Sequence, residues 1–319
     1  MKTLKVIASL LIVVNLNSCS DEPSNENIDE IPEVVGYTYQ TYNLSTDPIS
    51  VTNSREFTIE NNKLQSYTNV NSQTSQVLSG SYNYSNDKIS EILQYTDENL
   101  SSRKQFLYNS SGSLAEYNQE TIDGSQLSSY IRIAFLHTND TIYGTALAST
   151  DGINFDFNLA TAKFVLDSNK NRTYSEIYSY SNFETNIITN TYDANNNMVI
   201  ENRFSKLEDG SFFNERSYTY TYENSLNTLA QIYDATFGRE LLMLLNQHLE
   251  HGGNATNYYN SKYISPNCFE SHSSTLYGDI VSVEFDSILN ENNFSVFNDY
   301  RTLANGELFS KFTYDFTFE

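Results

Sequence analysis

Residues 106–114 have the sequence FLYNSSGSL, and this stretch contains the unit from which most of the chain is built. Phe106 and Tyr108 alternate with a spacer, a polar segment follows, and Leu114 resumes the apolar pattern. Alternation with a period of two, rich in aromatic and β-branched residues, is typical of a strand, and a short polar segment is typical of a turn. The unit therefore predicts a strand, a turn and a returning strand.

Similar units recur along the chain at nearly constant spacing. They begin at residues 57, 82, 106, 135, 164, 190, 220, 283 and 312, and the intervals are 25, 24, 29, 29, 26, 30, 63 and 29 residues. Constant spacing indicates a repeat architecture, and a single hairpin is marginal in water, so neighbouring hairpins must pair to share a core. We expect an all-β fold of repetitive antiparallel hairpins in an extended, curved or partly closed sheet, with one short α-helical insertion.

The 63-residue interval contains this insertion, at about residues 226–253. Five leucines give the segment Glu240–Glu250 a broad apolar face, and Gly252 and Gly253 supply a stop. The residues from Leu226 to Tyr233 favour an earlier helical turn, with Gly238 as a break. We expect the insertion to cap one face or end of the sheet, and a partner-binding helix is the alternative.

Two of the turn segments carry a family resemblance. Tyr108–Leu114 (YNSSGSL) and Tyr192–Met198 (YDANNNM) look like the YD repeat, Tyr-Asp-x-x-Gly-x-Leu, of Rhs-type proteins. In most units of this chain Asn or Ser replaces the Gly, and several of the Asp residues are missing. Rhs-type repeats build a β-shell around a toxin, so the resemblance implies an architecture for residues 50–319 and little about activity.

The first eighteen residues predict a lipoprotein signal peptide. Lys2 and Lys5 precede the apolar run 6–14, which is far shorter than the ~20 residues that a spanning helix needs. The segment 16–19 (LNSC) resembles the lipobox of bacterial lipoproteins, which implies cleavage after Ser18 and lipidation of Cys19. An ordinary secretory signal with a chance cysteine is the alternative. Lipidation would make the membrane a partner through the anchor.

Residues 19–36 follow as an acidic, flexible tether, and residues 37–319 form the predicted repeat domain. Ser20, Asp21 and Glu22 resemble the acidic export signal of Bacteroidetes surface lipoproteins. The lipobox, the tether and the Tyr-rich hairpins together are similar to a group of such lipoproteins of unknown function. The resemblance implies an outer-membrane location at the cell surface, and the alternative is an outer-membrane lipoprotein that faces the periplasm.

Composition excludes several classes of function. The chain has 40 acidic and 18 basic side chains, a net charge of −22, and only two cysteines. Phosphates would repel such a chain, so we expect no nucleic-acid partner, and two cysteines cannot form a disulfide scaffold. The sequence has no Gly-x-Ser-x-Gly, His-Glu-x-x-His or P-loop motif, so we expect no enzymatic activity.

Candidate metal sites are present but have simpler explanations. His248, His251, Cys268 and His272 form a ligand set that zinc accepts, although histidines near a helix end and a buried cysteine are common without metal. Two turns have the alternate oxygens of a calcium loop, although Asp and Asn are also ordinary turn formers. These turns are Asp167, Asn169 and Asn171, and Asp193, Asn195 and Asn197. We therefore expect no cofactor.

Two further positions, Thr141 and Ser287, follow an Asp and precede an Ile, which resembles the acceptor site of Bacteroidetes O-glycosylation. The 25 tyrosines suit a glycan or polypeptide ligand, because a ring buries area while its hydroxyl forms hydrogen bonds. Packing of tyrosines across strands is the alternative. The leading hypothesis is a surface lipoprotein with a non-enzymatic binding or adhesion role. A structural or accessory lipoprotein facing the periplasm is second, and a secreted hydrolase is third.

Overall fold

A computed structural model of the chain describes residues 33–319, apart from 47, 72–73, 125, 246–264 and 277–278. Eighteen strands and two helices lie within these residues. In chain order they are β1 (Val34–Asn43), β2 (Ser50–Glu60), β3 (Lys63–Asn71), β4 (Val77–Ser85), β5 (Lys88–Thr96), β6 (Asn99–Tyr108), β7 (Leu114–Asp123), β8 (Gln126–Thr138), β9 (Thr141–Ser149), β10 (Phe157–Leu166), β11 (Arg172–Ser179), β12 (Glu184–Tyr192), β13 (Met198–Leu207), β14 (Phe212–Leu226), α1 (Thr228–Phe237), α2 (Arg239–Leu245), β15 (Asn267–Leu276), β16 (Asp279–Leu289), β17 (Ser295–Ala304) and β18 (Glu307–Phe318).

The strands form one closed antiparallel sheet. Each strand pairs with the next, and β1 pairs with β2 on one side and with β18 on the other. At the closure Tyr37 lies opposite Phe57 of β2 and Phe316 of β18. The prediction of an all-β antiparallel fold is confirmed. The prediction of an extended or partly closed sheet is wrong, because β1, which precedes the first repeat unit, pairs with the edge that the last unit would leave free.

The nine repeat units fall on the nine even-numbered strands. The units that begin at residues 57, 82, 106, 135, 164 and 190 end β2, β4, β6, β8, β10 and β12, and the last three lie within β14, β16 and β18. Each even strand therefore supplies a pair of alternating residues of which at least one is aromatic, and odd strands such as β3, β5 and β7 supply the returning apolar residue. The 63-residue interval holds β15 and the helices in addition to the rest of β14.

The second aromatic residue of a unit links that unit to the one before it. Tyr84, Tyr192 and Tyr222 donate hydroxyl hydrogen bonds to the carbonyl oxygens of Leu64 (2.5 Å), Arg172 (3.1 Å) and Met198 (2.6 Å). His137 takes the same place in its unit and lies 2.6 Å from the carbonyl of Leu114. A carbonyl only accepts, so the Nε2 of His137 carries the proton. The aromatic spacing therefore has a hydrogen-bonding as well as a packing role.

The aromatic pairs of the units face the interior of the barrel. Phe57, Phe106, Phe164 and Tyr220 are buried, as are the apolar residues of the returning strands. A continuous series of ring contacts runs from Phe285 through Tyr300, Phe312 and Tyr314 to Tyr37, Phe57, Tyr67 and Tyr82. For these inward residues the alternative of packing across strands therefore holds, because closure gives the sheet an inside.

The outer face of the wall carries ion pairs, together with exposed apolar side chains such as Leu107 and Leu136. Arg103 lies between Glu91 (3.3 Å) and Glu120 (3.5 Å) on three neighbouring strands. Arg301 pairs with Glu284 and Asp286, and Lys311 pairs with Asp299 at 3.1 Å. On the strands of Glu91 and Glu120, the inward residues Ile92 and Tyr117 are buried. Water therefore solvates this part of the wall.

The helical insertion closes one end of the barrel, which we call the insertion end. The predicted break is confirmed at Gly238, which has φ 74° and separates α1 from α2 in the described part of the insertion. The Thr236 hydroxyl accepts from the Leu64 amide, and Arg172 donates to the Met243 carbonyl at 2.7 Å. Because β3 and β11 lie far apart around the ring, the insertion extends across this end.

We expect Tyr222→Phe to lower the free energy of unfolding by about 1–2 kcal/mol, because the hydroxyl is bonded to Met198 and to Ser265 at 2.8 Å. Tyr143→Phe is the matched control. Its side chain is 45% exposed, so its effect should stay within about 0.5 kcal/mol. Urea unfolding followed by circular dichroism measures both. Equal values for the two variants would contradict the linking role of the tyrosine hydroxyl.

Candidate functional site

Several predicted site residues lie outside the described part of the chain. These are Ser18, Cys19, Ser20, Asp21, Glu22, His248 and His251. The signal peptide, the lipidation site and most of the tether therefore stay predictions. The described barrel begins close to the predicted boundary, with β1 starting at Val34.

The structure places Cys268 inside the barrel. The residue is 1% exposed, its thiol donates to the Leu226 carbonyl at 3.5 Å, and burial raises its pKa to about 11. A thiol of raised pKa is a poor metal ligand and nucleophile at neutral pH. His272 lies on the same strand, opposite Tyr220 and Val283. Among the described residues, no group of three His, Cys, Asp or Glu side chains is arranged to hold a metal ion.

In the two calcium-like turns, the side-chain oxygens accept hydrogen bonds from groups of the protein. Oδ1 of Asp193 accepts from the amides of Asn195 and Asn197, both at 2.9 Å, and Oδ2 accepts from the Asn197 side chain. Asp167 does the same with Asn169 and Asn171. The Asn171 oxygen accepts from Arg239, and the Asn197 oxygen accepts from the Asn267 amide. These oxygens shape the turns by Asx hydrogen bonding.

We expect Asp193→Ala to cost about 1 kcal/mol of stability, because two turn amides lose their acceptor. Asp193→Asn keeps the Oδ1 that accepts from both amides and loses only the bond from the Asn197 side chain, so it should lose less stability than Asp193→Ala. Thermal unfolding of the three proteins, with and without EDTA and with added calcium, makes the test. A rise in Tm with calcium that Asp193→Asn abolishes would show instead that the turn holds a cation.

The two glycosylation candidates occupy different positions. Thr141 begins β9 and is half-buried at the insertion end. Ser287 lies within β16, where its hydroxyl donates to Glu223 at 3.4 Å. Neither side chain is fully exposed to solvent.

The end opposite the insertion, which we call the distal end, carries a different surface. In an antiparallel meander the described connections that follow odd strands lie here. Six exposed apolar side chains lie in, or flank, three neighbouring connections, 150–156, 180–183 and 208–211. We name this set the distal arc: Ile153, Phe157, Tyr180, Phe183, Leu207 and Phe212.

The apolar side chains of the distal arc are well exposed. Ile153 is 80% exposed, Phe212 65% and Phe157 58%. The connection 150–156 is nevertheless anchored, since the ring of Phe155 packs on Tyr130 and beneath the guanidinium of Arg132, 4.0 Å from the ring centre. Exposed apolar side chains on neighbouring connections make this end a candidate interaction surface.

Acidic residues lie in two of these three connections. Asp151, Asp156, Glu208 and Asp209 are exposed, and the three connections contain no Lys or Arg, although the Lys206 ammonium of β13 lies over the Phe212 ring, 5.9 Å from its centre. Backbone hydrogen bonds from Asn154 and Ile153 hold the pKa of Asp151 well below its usual value. The Ser211 hydroxyl and amide lower the pKa of Asp209. Both carboxylates therefore stay charged under mildly acidic conditions, and the same bonds order the loops.

The sequence did not reveal this surface. Phe183 and Phe212 are apolar residues beside turns, and such residues normally enter a core. The sequence sets them apart only by placing them outside the repeat units. Whether they lie near one another depends on which turns share an end of the barrel. Within the described residues, no helix has the length and apolar character to cross a membrane.

Comparisons with known proteins give distant likenesses. No family model matches the chain, and no curated protein matches it. Among solved structures, a porin-like protein from Bacteroides uniformis is 11% identical, with a TM-score of 0.34, over 90% of this chain and 96% of that one. A porin-like protein from Bacteroides vulgatus is 12% identical, with a TM-score of 0.40, over 90% and 98%. The TcdB2-TccC3-TEV structure is 8% identical, with a TM-score of 0.23, over 82% of this chain and 14% of that one. These values are too low to assign the chain to a family.

Proposed function

We propose that the chain is a surface-exposed, lipid-anchored outer-membrane protein with a non-enzymatic binding role, and that the distal arc contacts the partner. The observation that carries the binding role is the group of exposed apolar side chains on three neighbouring connections, two of which carry exposed carboxylates. The lipobox-like segment before Cys19 supports the anchor, and the acidic residues after it support export to the surface.

The ion pairs on the outer wall support anchoring by lipid. A barrel that spans a membrane presents an apolar band about 25 Å tall to the lipid. Here the ion pairs around Arg103 and Arg301 occupy the outer face. Moving such pairs into hydrocarbon would cost several kcal/mol per ion. The proposed lipid on Cys19 would hold the protein at the membrane without that cost.

The tether joins the barrel at the end away from the distal arc. The Glu33 carboxylate accepts from the Asn61 amide at 3.0 Å, and the Glu33 carbonyl accepts from the amide of Glu319. Both ends of the described barrel therefore lie at the insertion end. A barrel that hangs from this end would present the distal arc away from the membrane, where a binding surface is accessible.

The chemistry of the distal arc favours a polypeptide partner with both basic and apolar side chains. Exposed rings supply apolar area, and the fixed carboxylates attract cations and repel anionic lipid headgroups. Aromatic residues are also the usual energetic centres of protein interfaces. A glycan is the alternative ligand, and a binding experiment with a peptide probe distinguishes the two.

Cysteine labelling tests the location. Thr150→Cys at the distal end and Ser110→Cys at the insertion end place thiols on exposed turns, while buried Cys268 stays unreactive. We expect a membrane-impermeant maleimide to label both variants on intact cells, and Cys19→Ser to abolish incorporation of labelled palmitate. Labelling that requires a permeabilised outer membrane would instead place the barrel in the periplasm and support an envelope role.

A paired set of variants tests the binding surface. The probe is a synthetic amphipathic peptide of alternating Lys and Leu, measured by fluorescence anisotropy. We expect Phe183→Ser with Phe212→Ser to raise the Kd about tenfold, because two ring contacts are lost. The control is Leu107→Ser with Leu136→Ser, which removes equally exposed residues outside the distal arc. Equal losses in both double variants, or binding of neutral glycans in place of the peptide, would contradict the proposed partner.

A further inference from the structure

A cleft of about 490 Å³ lies at the insertion end, between the junction of the two helices and the turns that follow β4 and β6. Its lining includes Lys63, Lys88, Lys170 and Arg239 but only two carboxylates, Asp87 and Glu240. Cations therefore exceed acids here, in a chain whose net charge is −22. The cleft is an electropositive concavity on an acidic protein, and such a place concentrates anions.

Two of these lysines occupy equivalent positions in successive repeats. Lys63 begins β3 and Lys88 begins β5, and each ammonium donates to a backbone carbonyl in the next turn, of Asp87 and Gly112 respectively. Each also lies over a tyrosine ring, 5.4 Å from the centre of Tyr84 for Lys63 and 5.0 Å from that of Tyr108 for Lys88. The repeat therefore fixes both ammonium groups in the same way.

The two lysines differ in the carboxylate that neutralises them. Lys63 forms an ion pair with Asp87, which sits in the turn of the next repeat. At the equivalent position beside Lys88 the chain has Gly112, which offers only its carbonyl. Among the described residues Lys88 has no carboxylate partner, and it is exposed to solvent. The repeat thus leaves one positioned cation without its counter-charge.

Gly112 also keeps space free beside that cation. Its φ is +83°, and a Cβ there would lie 2.7 Å from the Lys88 Nζ. Asp87 adopts a similar backbone conformation, with φ 64°, so an acidic residue is compatible with this turn. The absence of a side chain at residue 112 is what leaves the Lys88 ammonium open to the cleft.

The remaining lining suits an organic anion. The Lys170 ammonium is 57% exposed and lies 3.5 Å from Glu240, and Leu114 and Phe237 supply apolar surface. Burial raises the pKa of Tyr108 to about 12, so its hydroxyl stays neutral and does not repel a negative ligand. The volume lies within the range of small-molecule sites.

We propose that this cleft binds a small organic anion, with its carboxylate or phosphate at Lys88 and Lys170 and its apolar part against Leu114 and Phe237. The site is separate from the distal arc and does not depend on the function proposed for that surface. In this site the ligand supplies to Lys88 the negative charge that Asp87 supplies to Lys63.

Isothermal titration of the purified chain from Ser20 onward tests the proposal, with benzoate and inorganic phosphate as probes and benzyl alcohol as the neutral analogue. We expect benzoate to bind with one-to-one stoichiometry, weakening with added salt, and benzyl alcohol to bind at least about tenfold more weakly. Competition by phosphate would show that the charged oxygens suffice. If excess phosphate does not displace benzoate, the apolar part of the ligand contributes to binding.

The decisive variants are Gly112→Asp and Gly112→Asn, which have nearly the same shape and differ in charge. Gly112→Asp should raise the Kd of benzoate about tenfold relative to Gly112→Asn, because it supplies the missing counter-charge. Lys88→Gln should weaken binding similarly, and Lys163→Gln on the outer wall should not. Thermal unfolding of both Gly112 variants controls for folding. Equal benzoate affinity in the two variants, or no saturable binding to the wild type, overturns the proposal.

Discussion

The pairing of β1 with both β2 and β18 is the constraint on which the rest of the structure depends. An open sheet of eighteen strands would expose two edges with unpaired amides and carbonyls, and would leave one face of every aromatic pair in water. Pairing of Tyr37 with Phe316 removes both edges together. It also creates an interior, and the apolar side of each hairpin is buried there against other strands, away from solvent.

Within that interior the two alternating residues of a repeat unit have different roles. The first aromatic residue of a unit, such as Phe57 or Phe164, is buried among rings and aliphatic side chains. The second, such as Tyr84 or Tyr222, is half-buried and donates its hydroxyl to the preceding unit. Adjacent hairpins are therefore joined by ladder bonds and ring contacts and, at Tyr84, His137, Tyr192 and Tyr222, by a side-chain hydrogen bond as well. Turns shaped by Asp and Asn complete the unit without using any residue from the core.

The two ends of the barrel have opposite characters for topological reasons. Connections after even strands meet the helices, the chain ends and the lysines of successive repeats, which produces a closed end with a positive cleft. Connections after odd strands contain no Lys or Arg and carry exposed rings, which produces the acidic distal arc. The described chain enters the barrel at Glu33, at the insertion end, and the length of the barrel separates the two surfaces.

The sequence by itself determined the strands and the helix break. The units at residues 57 to 312 and the glycine at 238 act through alternation, turn chemistry and backbone freedom, which are local properties and can be recognised from neighbouring residues. Only the tertiary structure decided the closure, the inward direction of the tyrosines and both surfaces. Residues 37 and 316 meet across the whole chain, and Lys88 meets Gly112 through a neighbouring turn. Such meetings depend on strand register and on which turns share an end, and no local pattern encodes either.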